Sequence, residues 1–296
     1  MNRLRHYLLS FFLGSLISIM VVCNTLLGQQ TTMALSFFFN HGIGIVFLSL
    51  LLLFYKPHKE KAPWYLYFGG VFGFFILNAN YVTITAIGVS LTMATAVFGQ
   101  ALGSLIFDLT GWMHMKTYPI SRRKALSLAL CFVGIVLMGA EGGSFLLPYI
   151  LLGIATGTIT MIQMVYNSRL AAIKGIIYSA RNNVLSGFIV ALIIYGAMGL
   201  GPTIRAFSSL KTLPLYLIAG GGILAMVVVM GTNFVIPKIP VIYSALLLSS
   251  AQIISSIFLD HLLGITFPPL LLLGAIVILV GMVINVWVDS IERKSS

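Results

Sequence analysis

Apolar positions in this chain gather into long blocks separated by short polar stretches. Ten blocks are legible, at about 7–28, 33–54, 64–86, 90–107, 124–140, 148–168, 176–198, 214–235, 241–259 and 268–289. Most reach roughly the 18–20 residues a helix needs to cross about 30 Å of hydrocarbon. None alternates apolar and polar positions as a barrel strand would. The pattern therefore predicts helices, which satisfy their own backbone hydrogen bonds in lipid. The first block, within MNRLRHYLLSFFLGSL and beyond, is too long for a signal peptide and lacks a following A-x-A site, so it is read as span 1.

The polar positions inside these blocks repeat. FGQALGSLIFD in span 4 and SAQIISSIFLD in span 9 both carry a Gln and an Asp eight residues apart. A shift of 143 residues pairs Gly14 with Gly157, Asn24 with Asn167, Ser36 with Ser179, Asn40 with Asn183 and Gly44 with Gly187. Further on a shift of 152 pairs Gly69, Gln100, Ser104 and Asp108 with Gly221, Gln252, Ser256 and Asp260. Val133-Gly134 then meets Val280-Gly281 at a shift of 147. The chain thus reads as two five-span repeats, about 1–143 and 144–296, in one transmembrane domain. Five is odd, so the second repeat enters the membrane from the opposite face. The predicted fold is all-α and integral to the membrane: ten transmembrane helices as two inverted five-helix repeats.

An amide in hydrocarbon is costly unless it is hydrogen-bonded, so these side chains are expected to face protein or a water-filled cavity. Gln100 and Ser104 share a helical face, as do Gln252 and Ser256. Thr156, Thr160, Gln163 and Asn167 form a seam on span 6, whereas the matching positions of span 1 are Leu13, Ile17, Met20 and Asn24. That divergence leans the expected recognition surface toward the second repeat, with the Gln163 amide serving a bound solute. Asn80 on span 3 and Asn233 on span 8 add further amides. The candidate binding residues are therefore Asn24, Asn80, Gln100, Ser104, Thr160, Gln163, Asn167, Asn233, Gln252 and Ser256. Two readings stay open for them, interhelical hydrogen bonding and cavity lining. Asn40 and Asn183 are read as packing residues.

Asp108 and Asp260 sit at C-terminal helix ends, where a carboxylate opposes the helix dipole. Capping of the following turn, or a basic partner for Asp108, stands beside a gating or proton-coupling role. Arg181 lies a few residues inside span 7, where it either snorkels to the interface or meets an anion. The histidines lack metal-ligand spacing, and no catalytic triad, HExxH or paired carboxylates occur. No metal, cofactor or enzymatic activity is expected.

Charge fixes the orientation. The 296 residues carry a net charge of +11 and a mean hydropathy of +1.06. Of 17 basic residues, 14 fall in alternate loops and at the termini, against Arg205 and Lys211 on the other side. The positive-inside rule then places both termini in the cytoplasm. The same distribution assigns the basic excess to topology and to anionic membrane lipid rather than to nucleic acid. Cys23 and Cys131 both lie inside spans, so a disulfide framework is not expected.

With AVFGQALGSLIFD, SSAQIISSIFLD and QMVYNSRL in place, the chain resembles the drug/metabolite transporter superfamily, and within it the YdcZ-like branch. In that branch a Gln, an Asn and a Leu mark the first helix of a repeat. Gln163, Asn167 and Leu170 fit, while the first repeat keeps Asn24 and Leu27 but has Met20 for the Gln. The resemblance implies a central cavity lined by spans 1, 3, 4, 6, 8 and 9, and a secondary exporter of the bacterial inner membrane working by alternating access. The expected substrate is a small polar or amphipathic metabolite, and the neutral lining favours a neutral or zwitterionic one. A flippase for a lipid-linked headgroup and a non-transporting membrane subunit or lipid-binding scaffold are the alternatives. The sequence is silent on oligomeric state.

Overall fold

The computed structural model describes residues 2–112, 122–140, 146–235, 238, 241–264 and 269–295, without the side chains of 2, 3, 108, 123, 124, 241–246, 285, 286 and 288–295. Among the described residues there are helices and no strands. The principal helices are α1 (Asn2–Gln30), α2 (Met33–Phe54), α3 (Gly69–Thr110), α4 (Arg122–Gly139), α5 (Leu147–Lys174), α6 (Ile176–Met198), the short α7 (Gly201–Ala206), α8 (Leu215–Val235), α9 (Val241–Leu262) and α10 (Pro269–Ser295). Six stretches are long and apolar enough to cross a membrane, and α4, α9 and α10 contain shorter apolar segments. Large apolar side chains such as Leu53, Phe54, Ile193 and Leu126 stand exposed. On a membrane protein such a surface faces lipid.

Spans 3 and 4 of the sequence reading meet in α3, which is broken at Gly88 (φ 73°, ψ 175°). That conformation is essentially restricted to glycine, because a Cβ would clash there. The break ends one arm and starts a second helical N-terminus at Val89, whose amides need new acceptors. Thr32 supplies a more ordinary start for α2: its hydroxyl accepts from the Leu35 amide at 3.1 Å.

The chain divides into two compact units that cut across the repeats. Unit 1 comprises Met1–Ser15, Ala86–Met161 and Lys238–Ser296. Its core gathers Leu91, Phe98, Ile135, Ile253 and Ile278. Here α4 and α10 run antiparallel in close contact. A Cβ on Gly134 would lie 2.5 Å from Ile278, and one on Gly281 would lie 2.7 Å from the Cys131 sulfur. Small residues at these crossings let the backbones approach, which drives helix association in lipid, where no hydrophobic force acts between helices. In the same unit Gly99 and Gly103 of α3 press on α5, and Thr158 Oγ1 donates to Gly99 O at 3.0 Å.

Unit 2 comprises Leu16–Thr85 and Ile162–Pro237. Its central pair is α2 with α6, again antiparallel. Ala34 and Phe37 pack near Ala191 and Tyr195, and Leu48 packs near Ala180 and Val184. A Cβ on Gly44 would meet Val184 at 3.1 Å, and one on Gly187 would meet His41 Nε2 at 2.8 Å. His41 stacks on Phe37 with ring centroids 3.9 Å apart. Tyr195 closes this cluster by donating its hydroxyl to Asn78 Oδ1 at 2.6 Å.

Candidate functional site

Unit 2 holds two polar clusters built from equivalent residues. In the second repeat Asn167 on α5 sits beside Asn183 on α6. Ser179 Oγ donates to the Asn167 backbone carbonyl at 2.7 Å, tying the two helices together. Asn167 Nδ2 and Gln163 Nε2 both donate to Asn183 Oδ1, each at 3.0 Å. Room for the amides comes from glycines on α3: a Cβ on Gly69 would lie 2.5 Å from Asn167 Oδ1, and one on Gly73 would lie 2.9 Å from Gln163 Nε2. Asn183, read from sequence as a packing residue, is the hub of this cluster.

The first repeat rebuilds the scaffold with one member missing. Ser36 Oγ donates to the Asn24 carbonyl at 2.7 Å, the counterpart of the Ser179 bond. Gly221 on α8 makes room for the Asn24 amide, and a Cβ on Gly222 would lie 2.9 Å from the Asn40 carbonyl. Met20 stands where Gln163 stands in the other repeat, and a thioether donates no hydrogen bond. Asn24 Nδ2 and Asn40 Nδ2 are buried with no hydrogen-bond partner.

Asn80 on α3 extends this cluster. It is 7% exposed, Asn24 is 5% exposed, and Asn80 Oδ1 likewise has no partner. Both residues line one small cavity with Thr25, Ser36 and Tyr81, closed by Val21, Met33 and Leu77. Its free space, about 10 Å³, is roughly that of a single water. Two residues that line one hole of that size thus carry an unmet donor and an unmet acceptor. Asn233 on α8 is also buried with its Nδ2 unpartnered, away from this lining. An orphaned buried amide costs about 1–3 kcal/mol.

The other sequence candidates fall as follows. Ser104 donates to Ala101 O, Thr160 to Thr156 O and Ser256 to Ile253 O, each at 2.8 Å, so these hydroxyl protons return to their own helices. Gln252 is buried and engaged; Gln100 is half-buried, and no hydrogen bond holds its amide among the described residues. These two glutamines, Ser104, Thr160 and Ser256 belong to unit 1, whereas Asn24, Asn80, Gln163, Asn167 and Asn233 belong to unit 2. Arg181 is half-buried on α6, with its Nε donating to Ser49 Oγ at 3.0 Å. The side chain of Asp108 lies outside the described residues.

Asp260 is 2% exposed, and its carboxylate caps the arm of α3 that starts after the break. Oδ1 accepts from Val89 N at 2.9 Å and Oδ2 from Ser90 N at 2.6 Å. The turn that follows Asp260 was the expected recipient of this cap. The amides freed at Gly88 take it instead, because they open a helix N-terminus, where a carboxylate is favoured.

The sequence matches the family described as "Putative inner membrane exporter, YdcZ" twice, over residues 6–137 and over 148–284. The chain belongs to the YdcZ family. Two tandem matches fit two fused repeats, and membership makes this a multi-pass membrane protein of an exporter family. No curated protein matches the sequence. Among solved structures, one described as "Crystal structure of protein" superposes with a TM-score of 0.60 at 15% identity, covering 97% of this chain and 98% of that one. At that identity the likeness shows the fold alone. The Gln-Asn-Leu pattern that resembles the YdcZ family in sequence contributes Gln163 and Asn167 to the second-repeat cluster.

Proposed function

We propose that this YdcZ-family protein is a secondary exporter of a small, neutral, polar or amphipathic metabolite, working by alternating access between two inverted five-helix repeats. Inversion is supported by the reciprocal contacts. Gly44–Val184 and His41–Gly187 are one contact seen from each repeat, as are Gly134–Ile278 and Cys131–Gly281. In both cases the equivalent helices run antiparallel, as a pseudo-twofold axis in the membrane plane requires.

The observation that carries the reading is the pair Asn24 and Asn80, which line one cavity and carry an unpartnered Nδ2 and an unpartnered Oδ1. A hydroxyl or amide of a solute both donates and accepts and so satisfies both, and the size of the cavity admits one such group rather than a whole metabolite. The absence of a charge on either amide favours a neutral or zwitterionic solute. Second-repeat amides, already engaged with one another, hold the frame.

Reconstitution into liposomes with a panel of polar metabolites tests this. Asn80→Leu is expected to leave the melting temperature unchanged or raised, since replacing an orphaned polar group by an apolar one removes its desolvation cost. Its transport rate is expected to fall by up to about tenfold, the worth of one neutral hydrogen bond. Full transport by Asn24→Leu and Asn80→Leu alike would exclude this cavity from recognition.

A further inference from the structure

Unit 2 contains a second and larger cavity, independent of the amide clusters and of what the protein transports. It lies between the C-terminal end of α2, the α5–α6 junction and the second half of α8, with a volume of about 640 Å³. Leu51, Ile177, Met226, Met230 and Phe234 form its apolar wall. Tyr55, Lys56, His58, Lys174 and Tyr178 stand at the end where α2 leaves and α6 begins. An oily slot thus ends at a basic and aromatic rim, the division of an amphipathic anion.

The rim is built rather than loose. Lys174 Nζ donates to the carbonyls of His58 at 3.1 Å and Glu60 at 2.9 Å, and His58 N donates back to Lys174 O at 3.2 Å. The ammonium also lies 5.5 Å from the centre of the Tyr178 ring. Two of its three donors are spent on neutral carbonyls, which leave the positive charge uncancelled and one donor spare. Lys56 is exposed beside it. The wall suits a chain more than a rigid ring, because Met226 and Met230 are unbranched and adapt to an irregular occupant. From Met226 to Phe234 the wall runs about 12 Å along α8 at 1.5 Å per residue.

We propose that this groove binds an anionic phospholipid of the surrounding membrane, with an acyl chain along α8 and its phosphate on Lys56 and Lys174. A soluble anion would need only the rim, and a zwitterionic lipid would gain little from two lysines. Each lysine near an anionic lipid surface is worth about 1 kcal/mol, or roughly fivefold in affinity.

The test uses the purified full chain in detergent, titrated with dioleoyl phosphatidylglycerol, dioleoyl phosphatidylcholine or glycerol 3-phosphate, with bound lipid counted by native mass spectrometry. Phosphatidylglycerol is expected to bind at one saturable site in clear preference to phosphatidylcholine. Lys56→Gln, at an exposed position outside the helices, is expected to weaken it about fivefold with an unchanged lipid-free melting temperature. Met230→Trp, which fills the slot, is expected to weaken both lipids. Glycerol 3-phosphate at millimolar concentration is expected not to compete. Equal binding of the two lipids would overturn the proposal, as would displacement by glycerol 3-phosphate or wild-type binding by both variants.

Discussion

Met20 and Gln163 occupy equivalent places in the two repeats, and only Gln163 brings an amide donor to its cluster. Gln163 Nε2 is already committed to Asn183. Gln163→Leu should therefore cost about 0.5–1.5 kcal/mol of stability, the worth of one such bond. Met20→Gln should do the reverse. Its new amide is placed by the repeat to donate to Asn40 Oδ1, as Gln163 donates to Asn183, so the melting temperature should rise. Thermal denaturation in detergent beside liposome transport checks both. An unchanged melting temperature for Gln163→Leu with transport abolished would return the solute to Gln163, where the sequence pattern had placed it. The polar seam of span 6 was legible because amides in an apolar block stand out. Its partner was not, because hydrogen bonds between helices depend on which faces meet. Even so, Ser36 with Asn40 and Ser179 with Asn183 share the 143-residue shift, and that pairing was the signal for the hub.

At the scale of elements, α3 is the least ordinary piece of the fold. Two arms of one helix serve different units, joined at a glycine in a conformation that other residues avoid. Gly88→Ala should cost about 1–3 kcal/mol for the backbone alone. Asp260→Ala should be worse. It leaves the Val89 and Ser90 amides buried without an acceptor, at about 1–3 kcal/mol each. Asp260→Asn keeps one acceptor and turns an NH₂ toward the other amide, so its loss should fall between that of alanine and wild type. Melting temperatures of the three variants order these costs. If Asp260→Ala melts like wild type, the carboxylate does not hold the break. The apolar blocks predicted every long helix here, since length and composition alone set them. They did not reveal that Asp260 reaches back some 170 residues, because a cap across helices leaves no local pattern.

For the whole molecule, orientation follows from charge, and the repeat turns it into a two-sided prediction. The loop 55–63 carries Lys56, Lys59 and Lys61, and Lys174 bonds to its backbone, so α2, α5 and α6 share one basic end. The stretch holding Arg205 and Lys211 follows α6 at its other end, one helix of 23 residues away. That helix is about 35 Å long at 1.5 Å per residue, enough to span the hydrocarbon. The two loops are then expected on opposite faces, and the positive-inside rule predicts the more basic one to be cytoplasmic. In a background lacking Cys23 and Cys131, Ser208→Cys should react with a membrane-impermeant maleimide on intact cells, and Lys59→Cys should react only after lysis. A cysteine at Ser296 should behave like the one at position 59, because both termini belong with the basic loops. Labelling of positions 59 and 208 from the same side would break the five-span repeat itself, since an odd number of crossings is what turns the second half over.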